Sequence, residues 1–198
     1  MGGRSGDTCQ PDFRHLFMHP TQPTDAIRVA LTQAYAAARR LVGPHTNLVV
    51  LHIGPEQSGV GFGAGPEMSV PHVMSIGFER TAREHFRTEP PTALAMENAI
   101  VTVEDAVMPL RAVLPREARL FTQDTALREI AKVAGTKGDA ALSLEAMERC
   151  FDNLSAVVMG AQAARLGLPA SNEFAANLLI LREFMHHLQF AQMEWVAT

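Results

Sequence analysis

Cysteine is scarce in this chain, and so are lysine and long apolar runs. Among 198 residues there are two cysteines, Cys9 and Cys150, so neither a disulfide framework nor a cysteine-based zinc site is expected. No apolar run approaches the roughly 18–20 residues that cross a bilayer. The N-terminus also lacks the apolar segment of a secretory signal. These absences predict a cytoplasmic protein that neither enters nor crosses a membrane.

Positive charge is sparse as well, and it is not clustered. The formal net charge is −4, and Lys132 and Lys137 are the only lysines. Nucleic-acid binding normally requires a basic patch, so this class of partner is not expected. With 47% apolar and 19% charged residues, the composition is that of a globular protein. We expect a tail with a short helix over residues 1–22 and a single globular domain over residues 23–198.

Apolar periodicity predicts a mostly helical α+β fold. Residues 47–53 form the best strand, a β-branched run that is apolar on both faces. A weak glycine-rich strand is expected over 59–64 and another strand over 118–122. Helices are indicated by four-residue spacing, among them one over 71–87 and the last over 174–190. The prediction is a small sheet of two to four strands packed against five to six helices, with a layered α/β domain as the alternative.

The last predicted helix carries an apolar stripe and a cluster of polar side chains. Phe174, Leu178, Leu181, Met185 and Leu188 share one face. Glu183, His186 and His187 share another. This carboxylate and imidazole spacing resembles the Glu-x-x-His motif of ferritin-like di-iron proteins, which implies a zinc or iron site with Glu104 as an outside ligand. The alternative is that these are polar residues interacting with the helix C-terminus.

The glycine run after the best strand is a second candidate site. Gly59, Gly61 and Gly63 form a pattern that resembles the dinucleotide-binding fingerprint. Its context differs from that fingerprint, because Pro66 follows where a helix should open. Alternating glycines also suit a flexible hairpin arm, a lid, or close approach of the backbone to a ligand.

Two further sets of side chains have chemistry that could serve a site. Arg80, Arg83 and Arg87 lie on one helical face and could bind a phosphate or carboxylate. The alternative is a solvated face of ion pairs. His52 lies at the end of the best strand, next to Gly54, where a histidine could act as a catalytic acid or base.

These features allow two functional predictions. The first is a ligand-binding, accessory or regulatory protein that binds a small molecule and forms a homo-oligomer through its apolar helix faces. The alternative is a small metal-dependent enzyme, a hydrolase or a non-haem iron oxidoreductase. Its pocket would lie between the end of the His52 strand, the glycine loop and the last helix.

Overall fold

A six-stranded mixed sheet runs through the chain, with helices on both of its faces. The computed structural model describes residues 23–197. The strands are β1 (Leu48–Ile53), β2 (Ser58–Gly63), β3 (His72–Met74), β4 (Arg119–Thr122), β5 (Leu142–Ser143) and β6 (Gln192–Trp195). Their order is β3-β2-β1-β4-β6-β5. Strands β1, β4 and β6 are parallel, whereas β2, β3 and β5 each run antiparallel to their neighbours.

Six α-helices connect and cover these strands within the described residues. They are α1 (Pro23–Leu41), α2 (Phe78–His85), α3 (Ala93–Val107), α4 (Thr125–Val133), α5 (Leu144–Val158) and α6 (Asn172–His187). Helices α3, α5 and α6 are each preceded by a capping residue, whose side chain accepts a hydrogen bond from a backbone N–H group of the first turn. These residues are Thr92, Ser143 and Ser171. The prediction of a sheet with two to four strands is therefore wrong. The layered α/β alternative describes the chain better.

The two faces of the sheet are covered unequally. Helix α1 packs on one face, against Leu48 and Val50 of β1 and Phe121 of β4, with Met68 of the β2–β3 loop beside it. Helices α2 to α6 share a larger core on the other face, where Val49 and Leu51 point. Because β1 has helices on both sides, its continuous apolar run is explained by burial on both faces.

The last helix was predicted correctly and lies at the centre of the larger core. Its first turn starts two residues earlier than the predicted helix, and it ends at His187 instead of residue 190. Phe174, Leu178, Leu181 and Met185 of the apolar stripe are buried, and Leu188 is partly buried. The stripe therefore faces a core within this chain.

Residues 71–87, predicted as one helix, form two elements. The chain makes the short strand β3, then turns at Gly77 into α2. Met74 and Phe78 both reach the core, so their four-residue spacing arises from a strand followed by a helix.

Strands β5 and β6 were not predicted. Their lengths are two and four residues, too short for an alternating pattern to be distinctive. Trp195 of β6 is buried. Its indole Nε1 donates a hydrogen bond to the Ala140 carbonyl at 3.2 Å, and the guanidinium of Arg128 lies 4.9 Å from the ring centroid. This end of the sheet is thus tied to the loop before β5.

The predicted tail and short helix over 1–22 lie outside the residues that the structure describes. Within 23–197, no helix combines the length and the apolar character needed to cross a bilayer.

Candidate functional site

The site centres on two side chains at the carboxyl ends of neighbouring parallel strands. His52 is near the end of β1, and Asp124 follows β4 by two residues. Strands β1 and β4 pair in parallel, so their carboxyl ends meet at the same edge of the sheet. Ligands of open α/β sheets bind outside such an edge.

His52 and Asp124 form a hydrogen-bonded dyad. The imidazole Nδ1 is 2.6 Å from Oδ1 of Asp124. The other carboxylate oxygen, Oδ2, accepts a hydrogen bond from the backbone N–H of Ile53 at 2.7 Å. An ionised carboxylate can only accept, so Nδ1 carries a proton. In the neutral imidazole this leaves the lone pair on Nε2, as in dyads that transfer protons.

The environment of His52 favours its protonated form. Burial by itself would lower the pKa of His52, but the hydrogen bond that Nδ1 donates to Asp124 and the negative charge of Asp124 together outweigh burial, so the pKa is raised above its ordinary value. The His52 side chain is 27% exposed and that of Asp124 is 10% exposed. The imidazole is therefore held firmly but remains accessible.

Asp124 holds this position because of where its helix begins. It is the residue that precedes the first turn of α4, yet its side chain makes no capping hydrogen bond there. A carboxylate at this position normally caps the helix. Here it is turned towards β1 instead, while its backbone N–H donates to Oγ1 of Thr122 at 3.1 Å.

Two glycines shape the backbone beside the dyad. A Cβ on Gly54 would lie 3.3 Å from Nε2 of His52 and 2.7 Å from the Gln57 carbonyl oxygen. A Cβ on Gly77 would lie 2.4 Å from the Pro55 carbonyl oxygen. Glycine is thus required where α2 approaches the β1–β2 turn, and the glycine at 54 leaves space next to Nε2.

Arg80 and Arg83, predicted to bind an anion, are engaged in ion pairs. Nε of Arg80 is 2.9 Å from Oε1 of Glu84. Arg83 donates to both carboxylate oxygens of Glu56, at 2.7 and 2.8 Å. The second pair joins α2 to the β1–β2 turn. The contacts agree with the alternative of an ion-paired face, and an anion-binding role for these arginines stays untested.

The glycine run is used for packing. Cβ atoms on Gly59, Gly61 and Gly63 would collide with side chains of Ile27, Met68 and Tyr35 respectively. Glycines along β2 therefore let α1 and the β2–β3 loop lie directly on the strand. The space in front of the three predicted ligand-binding residues is filled by the chain itself.

The predicted metal cluster on α6 is a network of ion pairs. Glu183 is fully buried, and its Oε1 and Oε2 lie 2.7 Å from Arg182 Nη1 and 2.9 Å from His187 Nε2. Glu104 lies 3.7 Å from the same His187 nitrogen. His186 points elsewhere, with Nδ1 2.9 Å from Oε1 of Glu148.

The four predicted ligands thus do not all converge, because His186 points away from the other three. Within residues 23–197, no group of three or more histidine, cysteine, aspartate or glutamate side chains is arranged to hold a metal ion. Ion pairing accounts for the clustering, and zinc or iron binding stays a prediction that only a direct measurement can test.

The pocket predicted between the end of the His52 strand, the glycine loop and the last helix is not formed either. His52 lies at the carboxyl edge of the sheet, whereas His187 lines a cavity with Ala118, which precedes β4 at the opposite edge. Of the predicted site residues, only His52 belongs to the dyad. Asp124 was missed, because its partner is 72 residues away and no local spacing connects them.

Comparison with known proteins identifies the fold. No family model matches the sequence, and no curated protein matches it. Among solved structures, the Ppx/GppA phosphatase of Aquifex aeolicus aligns with a TM-score of 0.66 and 13% identity, over 85% of this chain and 59% of that one. An exopolyphosphatase from Cytophaga hutchinsonii aligns with a TM-score of 0.62 and 12% identity, over 88% of this chain and 58% of that one.

An exopolyphosphatase-like protein aligns similarly, with a TM-score of 0.60 and 14% identity. It is matched over 83% of this chain and 59% of its own length. The fold is therefore that of Ppx/GppA proteins, and this chain spans somewhat more than half the length of the structures it resembles. The sequence predicted an accessory or regulatory protein, with a metal-dependent enzyme centred on the last helix as the alternative. This functional prediction is wrong. The structures that share this fold are described as phosphatases and exopolyphosphatases.

Proposed function

We propose that this chain takes part in the hydrolysis of a phosphoanhydride or phosphate ester, with His52 as the acid–base group and Asp124 as its positioning residue. The observation that carries the proposal is the 2.6 Å contact between the two side chains at the carboxyl edge of the sheet. The names of the fold neighbours, phosphatase and exopolyphosphatase, support the choice of substrate class.

The geometry suits a proton transfer on Nε2 of His52. In the proposed step, a water molecule attacks phosphorus and gives its proton to Nε2. The bond from phosphorus to the leaving oxygen breaks, and that oxygen keeps the electron pair. The protonated imidazole then returns the proton to the leaving oxygen. Asp124 keeps the Nδ1 proton in place and stabilises the imidazolium.

The same carboxylate also fixes the strand end from which His52 projects. Because Oδ2 of Asp124 accepts from the Ile53 N–H at 2.7 Å, one side chain orients both the imidazole and the adjoining backbone. Gly54 leaves space on the Nε2 side. A substrate phosphorus would approach there, outside the carboxyl ends of β1 and β4.

A phosphate-release assay with matched variants tests the proposal. Pyrophosphate, tripolyphosphate, long-chain polyphosphate and p-nitrophenyl phosphate are offered to the full chain. We expect phosphate release from at least one, with kcat falling about 10²–10⁴-fold in H52A, as for the loss of a general acid or base. D124N should fall by about 10²-fold or more, because the imidazole loses its orientation.

The control is H85A, which removes a histidine at the end of α2 and should leave the rate unchanged. If the base is His52, kcat/KM should rise with pH through a midpoint above the ordinary histidine value, in accordance with its raised pKa. Equal phosphate release by the wild-type chain and H52A would overturn the proposal. So would the absence of release from all four substrates.

A further inference from the structure

A cavity lies at the opposite edge of the sheet from the dyad. It is formed by two turns, one before β4 and one between α6 and β6. These strands are parallel neighbours, so their amino ends, and the turns that precede them, lie side by side. The cavity has a volume of about 600 Å³, within the range of small-molecule sites.

The polar lining of this cavity combines two arginines with Glu117, His187 and Gln189. Arg111 and Arg116 line it, and neither belongs to any of the ion pairs found within residues 23–197. Seven of the eleven other arginines in residues 23–197 are paired with a carboxylate, as Arg119 is with Glu194. Guanidinium groups without a carboxylate partner match the oxygens of a phosphate or carboxylate.

Apolar side chains complete the cavity wall. Leu114, Pro115, Leu188 and Phe190 line it beside the arginines. Phe190 is otherwise buried, and its ring stacks on Phe184 with 5.6 Å between centroids. An apolar wall next to two unpaired cations fits a ligand that joins an anionic group to an apolar body.

The turns that carry these side chains have unusual backbone geometry. Gln189 and Glu117 line the cavity with φ of 62° and 55°, in the left-handed region that favours glycine. Glycine would relieve this strain at Gln189, whereas the amide that stands there can donate a hydrogen bond to, or accept one from, a bound group. The turn before β4 is also fixed by Asn47, whose Nδ2 donates to the Arg116 carbonyl at 3.1 Å.

We propose that this cavity is a binding site for a small organic anion, with Arg111 and Arg116 holding a phosphate or carboxylate group and the apolar wall holding its body. Glu117 also lines the cavity, and its negative charge opposes an anion. The site is separate from the dyad, since the two lie at opposite ends of the parallel strands. Its occupancy does not depend on the proposed hydrolysis.

Calorimetric titration of the full chain with benzylphosphonate and phenylacetate tests this site and distinguishes the two anionic groups. We expect saturable one-to-one binding of at least one probe, about tenfold or more weaker in R111A and in R116A, because each variant loses charge-assisted hydrogen bonds. E117Q should bind more tightly than the wild-type chain. The matched control is R165A, an exposed arginine between α5 and α6, which should bind as the wild type does.

Two further variants separate this site from the dyad and from a structural role. H52A should keep full affinity, even if it abolishes hydrolysis. Q189G should raise the melting temperature by about 2–4 °C by relieving the left-handed backbone, yet weaken binding. Lack of saturation up to about 10 mM of both probes, unchanged affinity in both arginine variants, or an equal loss in R165A would overturn the proposal.

Discussion

Gly59 of β2 and Ile27 of α1 are in such close contact that a Cβ on the glycine would lie 2.3 Å from Cγ2 of the isoleucine. Leu31, one helical turn further along α1, would be 2.9 Å from the same Cβ. Both side chains are buried. Glycine at this position therefore determines how closely α1 can approach the sheet.

We expect Gly59→Ala to lower the free energy of unfolding by about 1–3 kcal/mol, the usual cost of overpacking a core. Gly65→Ala is the matched control, because a Cβ there meets nothing within 4 Å and its backbone does not require glycine. That change should be neutral or stabilise by up to about 1 kcal/mol. Urea denaturation measures both. Equal stability of the two variants would contradict the close packing of α1.

The titration of His52 offers a test that needs no substrate. Because Asp124 raises the pKa of His52 above its ordinary value of 6.5, the folded state binds the proton more tightly than the unfolded state. The resulting stabilisation is fully present below pH 6.5 and is lost as the pH rises through the raised pKa. Asp124→Asn should lower the pKa of His52, since burial then acts without the opposing charge.

NMR titration of the His52 ring protons in the wild-type chain and in the Asp124→Asn variant measures this directly. The loss of stability between neutral and mildly alkaline pH should be smaller in the Asp124→Asn variant. A pKa of His52 that is the same in both proteins would mean that the 2.6 Å contact has no electrostatic effect.

Cys150 should be inert in the folded protein. Its side chain is buried in the larger core, and burial raises the pKa of the thiol to about 11. The thiolate is the reactive form, so at pH 8 only about one thiol in a thousand would be ionised. In a Cys9→Ser variant, an aromatic disulfide reagent should react rapidly only after denaturant is added. Rapid reaction of the folded variant would show that this part of the core is open.

Leu181 and Leu94 give a direct measure of the larger core. Leu181 of α6 is fully buried, whereas Leu94 of α3 is 67% exposed. We expect Leu181→Ala to cost about 2–5 kcal/mol of unfolding free energy. Leu94→Ala should stay within about 0.5 kcal/mol of the wild type. A cost below about 1 kcal/mol for Leu181→Ala would mean that the stripe on α6 is not packed.

Local pattern explains which parts of the fold could be predicted. The stripe on α6 repeats over four turns, and β1 is a continuous apolar run, so both are visible in short windows of sequence. Strand β6 shows buried Met193 and Trp195 in alternation, but over only four residues. The number of strands was underestimated because a short strand can be identified only from the strand that it pairs with. The sequence does not show which segments pair.

For the same reason, only one of the two residues of the dyad could be predicted. His52 could be singled out by its place at a strand end next to Gly54. Its partnership with Asp124 depends on the parallel pairing of β1 with β4, a relation between distant segments. The predicted ligands on α6 share a helical face, yet their neighbours on α3 and α5, Glu104 and Glu148, determine that they form ion pairs.

Trp195 is the single tryptophan of the chain, and its position makes it a natural optical reporter. It is buried in β6, with its indole bonded to the loop before β5 and a guanidinium over its ring. Its emission will therefore shift to longer wavelength when this end of the sheet opens to water. Intrinsic fluorescence can thus follow the release of β6 separately from the loss of helical circular dichroism, without any added label.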